Sequence, residues 1–275
     1  PKVAENLMGV QGCMWTEFCT SADDVEYLLF PRLAAVGEIA WSGKDKKDWP
    51  DFLKRLDVLT QHYDYLGVNY ARSMFNIDHL VTGDNDTLKV ALTCIRPDME
   101  IRYTVDGSEP QVSSPLYTDS LAFTDSVTIK AATFASGEQK GQTLTLPLHR
   151  NKATARPVID GNEQTYRLTN GLRGSDKQSD FEWCGWYDRD ASFTIDLGKE
   201  ENIGQITIGC ITNYGMGAHI PAKITLSVSN DNRTYTRIAE RSFTPEEIFR
   251  EGVRIKDKTF DNLASTGRYL KVDLK

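Results

Sequence analysis

The sequence contains 275 residues, with a formal net charge of −7 and a pI near 5.2. This length indicates two or three domains, and an acidic chain without a basic stripe argues against a nucleic-acid partner. The sequence has no run of about 18 apolar residues and therefore predicts no membrane-spanning helix. The five cysteines fit neither a disulfide framework nor a zinc-ligand spacing; they stand at positions 13, 19, 94, 184 and 210.

The first predicted element is a buried strand. Residues 7–14 are mostly apolar, and they lead to Trp15 and Glu17. Side chains two positions apart on a strand point the same way, so this indole and this carboxylate should lie side by side at the end of the strand. A single strand is not stable alone, and we expect this one to belong to a larger sheet.

Two helices are predicted next. Thr20 or Ser21 can cap the first helix, whose apolar residues recur at helical spacing. Pro31 should interrupt that helix because it removes one backbone hydrogen bond. The second helix opens at DWPDF, where Pro50 suits the first helical position, and Gly67 should end it.

After residue 76 the period changes from helical to alternating. The turn motifs DGSEP and SSP separate short alternating segments, which predicts a small antiparallel β-domain. Its candidate strands lie around 88–94, 101–105 and 127–131.

A second β-rich region follows residue 150. Loops rich in Gly and Asn separate its candidate strands, a pattern that is typical of a β-sandwich. These strands are predicted at 191–197, 204–211, 222–229 and 267–274.

Three parts of the sequence resemble known families, in one consistent order. GVQGCMWTEF followed by FPRLAAVGEIAWS resembles the end of the catalytic (β/α)8 barrel of glycoside hydrolase family 20, the β-N-acetylhexosaminidases. IRYTVDGSEPQVSSPLYT resembles the small β-domain that follows the barrel in bacterial hexosaminidases. The last region resembles the discoidin, or coagulation factor 5/8 type C, fold, many members of which bind carbohydrate; the matching motifs are LTNGLRGS, WCGW, FTIDLG and ITLSVSNDN.

These resemblances imply a multidomain, mainly β chain. Residues 1–75 would be a terminal strand-plus-helices piece of the barrel, residues 76–150 a small β-sandwich, and residues 151–275 a second, discoidin-like β-sandwich. They also imply the C-terminal region of a periplasmic or extracellular glycosidase whose partner is a glycan with terminal N-acetylglucosamine or N-acetylgalactosamine. The given sequence contains no signal peptide and starts inside a region that looks structured, so we expect a fragment of a longer protein.

The resemblance gives Trp15 and Glu17 a role in substrate binding. Active sites of such barrels lie at the C-terminal ends of the strands. In the family, the Trp of the last strand stacks on the terminal amino sugar, and the Glu two residues later accepts hydrogen bonds from sugar hydroxyls. The alternative is that Trp15 belongs to a hydrophobic core and Glu17 is a solvated strand end.

No catalytic residue is expected in this chain. The family works by substrate-assisted retaining hydrolysis, in which the sugar's acetamido group attacks the anomeric carbon, a Glu protonates the leaving oxygen and an adjacent Asp orients the acetamido group. That acid comes from an Asp-Glu dipeptide, which this sequence lacks. We therefore expect the parent protein to be an enzyme and this chain alone to be inactive, with no cofactor required.

The third region offers a candidate carbohydrate-binding loop, NYGMGAHIP. Tyr214 can stack on a sugar, His219 can hydrogen-bond it, and Arg189 on a neighbouring loop can add a polar contact. Where His219 stands, family members often have Trp, so the type of ligand stays open. A loop of ordinary polar residues is the alternative, and the third domain would then be structural or bind a protein partner.

Many discoidin modules hold a structural calcium ion in an early loop. The resemblance suggests the Leu168 carbonyl, Asn170 and Ser175 as ligands, with Asp160 and Asn162 as a rival frame. Calcium usually takes several oxygens and more than one carboxylate, and Asn170 replaces the family's usual Asp.

The predicted first strand also suggests self-association. Without its barrel neighbours the strand has unpaired edges. We expect it either to pair with another chain or to be covered by the two helices that follow it.

Overall fold

The computed structural model describes residues 8–84, 86–177 and 179–275. The chain divides into two compact units. The first, called the helical unit, comprises residues up to 77 with residues 94–101 and 132–142. The second, called the β unit, comprises residues 78–93, 102–131 and 143–275. Parts of the middle β region therefore belong to each unit, and the predicted boundaries at 75 and 150 stay predictions.

The helical unit contains α1 (Ala22–Leu29), α2 (Arg32–Trp41) and α3 (Trp49–Leu66). Ser21 caps α1, because its hydroxyl accepts a hydrogen bond from the Asp24 backbone N–H and the Asp24 carboxylate accepts one from the Ser21 backbone N–H. Pro31 separates α1 from α2, and Gly67 ends α3 in the left-handed conformation that glycine adopts without strain. The predicted caps and the predicted interruption are confirmed.

The prediction of a strand over residues 7–14 is wrong for the part of it that the structure describes. Residues 8–14 have no regular secondary structure and are almost all exposed, while Leu7 lies outside the described residues. A strand exists only when its backbone N–H and C=O groups pair with a neighbouring strand. No described segment pairs with residues 8–14, and the helices do not bury them.

The helical unit has a small core centred on α3. Phe52, Leu53 and Leu56 are buried, and they pack against Ala34 and Ala35 of α2. Neither α1 nor α2 has a fully buried residue, although both are rich in apolar side chains. Large exposed apolar residues remain on these two helices; they are Tyr27, Leu28, Leu33, Ile39 and Trp41.

A buried arginine, Arg96, links residues 96–98 to α3. The Arg96 side chain is 2% exposed, and it donates bidentate hydrogen bonds to Asp57 at 2.6 and 2.9 Å and to Asp98 at 2.9 and 2.7 Å. Its guanidinium also lies 5.3 Å from the centre of the Phe75 ring. Two carboxylates and an aromatic face thus hold this charge inside the helical unit.

The middle β region forms two small sheets. The first has the strand order β1 (Ile77–Asp84), β2 (Thr87–Cys94), β4 (Leu121–Phe123). The second places β3 (Glu100–Thr104), β5 (Val127–Ala135) and β6 (Glu138–Gln139) in order, with β7 (Leu144–Leu148) also paired with β5. Leu88, Val90 and Leu92 are buried, which confirms the predicted alternation in β2.

The terminal β region is a sandwich of two sheets. Five strands lie in the order β12 (Thr236–Ser242), β11 (Lys223–Ser229), β14 (Ser265–Leu274), β9 (Ala191–Ile203), β8 (Val158–Ile159). The second sheet pairs β10 (Ile206–Asn213) with β13 (Val253–Phe260). A continuous hydrophobic core joins them, and its members include Phe193, Ile195, Leu226, Phe260 and Val272. A one-turn helix, α4 (Pro245–Ile248), precedes β13.

The described chain is mainly β with few helices, in agreement with the predicted β-sandwich regions. All four strands predicted after residue 150 are present, at 191–203, 206–213, 223–229 and 265–274. In the described part of the chain, no helix combines the length and the apolar character needed to cross a membrane.

Candidate functional site

Trp15 and Glu17 lie in the irregular segment that precedes α1. Trp15 is 75% exposed, and Glu17 is exposed at a turn in which the Cys19 backbone N–H donates to the Thr16 carbonyl at 3.0 Å. The indole therefore does not belong to the core of this unit. Their roles in sugar binding stay a prediction, because the barrel strand that would align the two side chains is not formed by the described residues.

The loops of the terminal sandwich meet at one end of it. Ala191 pairs with Leu274, which also pairs with Ile224, and Asn213 pairs with Val253. The loops that adjoin these strand ends therefore share one end of the sandwich, which we call the loop end; they comprise residues 185–190, 214–222 and 243–252.

An aromatic trio lies at the loop end. The His219 ring is 6.0 Å from the Tyr214 ring and 5.0 Å from the Phe249 ring, with interplanar angles of 65° and 71°. Tyr214 and Phe249 are 53% exposed each, so both rings keep an open face. In the described chain, no protein group hydrogen-bonds the His219 ring nitrogens, which leaves them available to a ligand.

The backbone around the trio is tightly held. Asn213 and Ala218 exchange two backbone hydrogen bonds of 2.8 and 3.0 Å, and Gly217 supplies the positive φ that closes the turn between them. Phe249 follows α4, which has a capping box formed by Thr244 and Glu247. Sequence reasoning missed Phe249; its signal was the TPEE motif, which predicts a short helix directly before this aromatic residue.

The structure brings only part of the predicted carbohydrate site into contact. The Tyr214 and His219 rings are in contact. Arg189 is exposed on a different loop of the same end. Among the described residues, no hydrogen bond, ion pair or ring contact joins Arg189 to either of them.

The predicted calcium ligands are engaged with protein groups. Asn170 is buried; its amide nitrogen donates to Glu182 at 2.6 Å, and its amide oxygen accepts from the Leu172 backbone at 3.0 Å. The Ser175 hydroxyl accepts from the Lys177 backbone at 3.3 Å. A cation would have to displace these bonds, and the described residues include no group of three or more His, Cys, Asp or Glu suited to a metal. Calcium binding at this loop stays a prediction, and no function is built on it.

Of the rival calcium ligands, Asn162 also has protein partners. Its side-chain oxygen accepts from the Gln164 backbone at 2.8 Å, and its carbonyl accepts from the Thr165 hydroxyl at 2.7 Å. The Leu168 carbonyl and the Asp160 carboxylate stay untested as ligands.

Three family models match the chain in sequence order. Residues 1–44 match the glycosyl hydrolase family 20 catalytic domain, residues 82–145 the chitobiase/beta-hexosaminidase C-terminal domain, and residues 140–275 the F5/8 type C domain.

Two curated relatives are named for the same activity. The chain is 32% identical over 137 residues to a beta-hexosaminidase of Porphyromonas gingivalis. This aligned segment covers 48% of the chain and 17% of the relative. It is 36% identical over 69 residues to a beta-N-acetylhexosaminidase of Cellulomonas fimi. This second aligned segment covers 25% of the chain and 14% of the relative. The chain thus corresponds to a small part of each relative.

Among solved structures, the chain is similar to the C-terminal domain of a chitobiase from Bacteroides fragilis. The identity is 21%, the match covers 33% of this chain and 54% of that one, and the TM-score is 0.23. The family models and curated relatives confirm the resemblances recognised in the sequence motifs. The chain thus joins three segments that match, in order, the glycosyl hydrolase family 20 catalytic domain, the chitobiase/beta-hexosaminidase C-terminal domain and the F5/8 type C domain.

Proposed function

We propose that this chain is the C-terminal region of a β-N-acetylhexosaminidase that releases terminal N-acetylglucosamine or N-acetylgalactosamine from glycans. The observation that carries the proposal is the Trp15-Thr16-Glu17 sequence, which stands within the segment that matches the family 20 catalytic domain. Both functional side chains are exposed rather than committed to the core of the helical unit.

Trp15 and Glu17 would bind the sugar rather than perform the chemistry. The C–H face of a pyranose packs flat on an indole without burying unpaired polar groups. A carboxylate accepts hydrogen bonds from sugar hydroxyls, and such charge-assisted bonds are strong in a pocket that excludes water. In the complete barrel, residues 8–14 would form the strand that aligns these two side chains.

The exposed apolar side chains of α1 and α2 support a larger catalytic body. Leu28, Leu33, Ile39 and Trp41 are exposed although their helices carry an apolar repeat. A helix with such a repeat is normally packed against another element. The remaining strands and helices of a (β/α)8 barrel would cover this surface.

The proposed reaction uses the substrate's own acetamido group as the nucleophile. It attacks the anomeric carbon, and an acidic side chain protonates the leaving oxygen. That acid and its neighbouring Asp lie in the part of the catalytic domain beyond this chain's matched segment. Trp15 and Glu17 hold the ring while these groups act.

The enzymatic proposal predicts activity in the complete protein but not in this chain. The complete protein should release nitrophenol from nitrophenyl N-acetylglucosaminide or N-acetylgalactosaminide, and the 275-residue chain should release none. Spectrophotometric assays of both proteins at equal concentration measure this. Inactivity of the complete protein on both substrates would overturn the glycosidase proposal. Activity of the 275-residue chain alone would show that the chain does contain the acid that protonates the leaving oxygen.

The terminal sandwich is proposed to bind a sugar at its loop end. Tyr214 and Phe249 each offer an exposed aromatic face, and His219 between them has ring nitrogens without a protein partner. Such a pattern suits a pyranose, whose apolar face stacks while its hydroxyls hydrogen-bond. Binding there would keep the catalytic domain near its polysaccharide and raise the local substrate concentration.

Replacing Tyr214 or His219 with Ala should weaken sugar binding by at least about tenfold, which corresponds to 1.4 kcal/mol. Glycan-array screening of the chain identifies the sugar, and calorimetry of each variant measures the loss. Phe181→Ala is the control, because Phe181 is an exposed aromatic residue of the same region outside the loop end. Equal affinity of all variants would contradict this site, and no binding to any sugar would favour a structural or protein-binding role.

A further inference from the structure

The turn between β1 and β2 makes charged contacts with the start of the terminal region. Asp86 accepts a hydrogen bond from Arg156 at 2.7 Å, and the Arg150 guanidinium lies 3.5 Å from the same carboxylate oxygen. Arg150 also donates to the Asp86 backbone carbonyl at 2.8 Å. Arg156 of the terminal region and Arg150, the last residue of the middle region, therefore both contact the tip of this hairpin.

The hairpin also approaches the terminal region closely through two glycines. A Cβ placed on Gly83 would lie 2.4 Å from the Cα of Ala155, and one placed on Gly171 would lie 2.9 Å from the Leu88 side chain. Distances below about 3.0 Å do not occur between such atoms, so a side chain at Gly83 would require the Ala155 backbone to move, whereas one at Gly171 would require the Leu88 side chain to move. The hairpin therefore approaches the terminal region at backbone level at Gly83.

A third contact lies at the other end of β1. His79 Nε2 is 3.2 Å from Glu182 Oε1, and Asn170 donates to the second oxygen of Glu182 at 2.6 Å. The Glu182 side chain is only 13% exposed. A carboxylate that is nearly buried needs such partners, so its position is specified by residues from both regions.

The connection between the two β regions is itself hydrogen-bonded on both sides. The His149 backbone N–H donates to the Gly171 carbonyl at 2.8 Å, and the Arg150 N–H donates to the Ser126 hydroxyl at 2.9 Å. Slightly later, the Ala155 N–H donates to the Thr169 carbonyl at 2.8 Å. The segment is therefore not a free linker of the kind that joins tethered modules.

We propose that the β1–β2 hairpin locks the terminal sandwich and the part of the middle β region that lies within the β unit into one rigid body. The terminal sandwich then does not swing on a flexible tether. The junction lies beside the end of β9, where Lys152 pairs with Glu201 at 3.3 Å, whereas the loop end adjoins its beginning at Ala191. Glu201 pairs with Gly267 and Ala191 pairs with Leu274, so the seven steps along β14 separate the two by roughly 23 Å at about 3.3 Å per residue.

The rigidity has a consequence for ligand binding that rests on the proposed sugar site. A module on a flexible tether samples many positions, whereas a locked module presents its binding loops at one distance and one angle. The loop end would then bind best to polysaccharide surfaces on which its binding position lies at this one fixed distance from the middle β region. The lock itself does not depend on which ligand is bound, so its test needs no sugar.

Trypsin cleavage of the intact chain tests the lock, because Arg150 and Lys152 lie in the connecting segment. Cleavage needs the backbone to leave its hydrogen bonds, so these two bonds should resist trypsin while the hairpin is docked. Gly83→Val should raise the rate of cleavage after Arg150 and Lys152 by at least about tenfold. Gly185→Val is the matched control, because a Cβ at Gly185 meets nothing within 4 Å.

A milder variant and a second measurement keep the test decisive if Gly83→Val fails to fold. Asp86→Asn removes the charge that both arginines contact, and Asn tolerates the positive φ of 67° at this position. It should increase the same cleavages. ¹⁵N relaxation of the unsubstituted chain should give one rotational correlation time for the terminal sandwich and for the middle-region residues of the β unit. Fast cleavage in the unsubstituted chain, two different correlation times, or no effect of either variant would overturn the lock.

Discussion

Replacing Arg96 with Met should lower the free energy of unfolding by about 3 kcal/mol. Removing one partner of a buried ion pair costs roughly 3–5 kcal/mol, largely because a charge is left buried without a partner. Here the side chains of the remaining carboxylates, Asp57 and Asp98, are 40% and 51% exposed, so water can solvate them. We therefore expect the lower end of that range, measured by urea denaturation of the chain.

Arg55→Met is a close control for this prediction. Arg55 also bonds two carboxylates, with one hydrogen bond fewer than Arg96: a bidentate pair with Glu38 at 2.8 Å and a single bond to Asp51 at 2.9 Å. Its side chain, however, is 52% exposed, and an exposed pair contributes only about 0–1 kcal/mol. Similar decreases in the free energy of unfolding in both variants would show that burial of Arg96 does not determine its contribution to stability.

The contribution of Arg96 should also depend on pH. Its hydrogen bonds hold the pKa of Asp98 below the ordinary value of 3.8, against the opposing effect of burial. A group with a lowered pKa stabilises the folded state above its ordinary pKa, and that stabilisation is lost as the pH falls through the folded value. The difference in the free energy of unfolding between the unsubstituted chain and Arg96→Met should therefore become smaller below pH 3.8.

In the complete protein, Glu17→Gln should reduce kcat/KM for nitrophenyl N-acetylglucosaminide by about tenfold to a hundredfold. A hydrogen bond to a charged group contributes about 1.5–3 kcal/mol, and every 1.4 kcal/mol is a factor of ten. Gln keeps the shape and one acceptor oxygen but removes the charge. Trp15→Ala should have an effect of similar size, because it removes the stacking surface of the sugar.

Asp45→Asn is the control for this substitution. Asp45 is an exposed carboxylate directly after the matched segment 1–44, in the turn between α2 and α3. Steady-state kinetics of the three variants should leave Asp45→Asn at the unsubstituted rate. If Glu17→Gln is equally active, Glu17 does not contact the substrate, while activity of the complete protein itself would still support the glycosidase proposal.

Short-range patterns in the sequence were sufficient to predict most of the helices and strands. The Ser21 cap, Pro31 and Gly67 set the helix boundaries through contacts within a few residues, so their effects could be read locally. Strands with one clearly apolar face were predicted for the same reason. β12 and β13 were missed because charged residues interrupt their alternation, as in VRIKDKTF.

Sequence motifs also determined the family resemblances, which the three family models confirm. Tertiary structure alone decided the contacts between distant residues. Arg96 meets Asp57 across 39 positions, Phe249 joins His219, and Gly83 meets Ala155. The same applies to residues 8–14, whose apolar pattern predicts a strand that forms no pairing here. The physical reason is that a local pattern records which side chains prefer burial, whereas the partner that buries or pairs them is set by the packing of the whole chain.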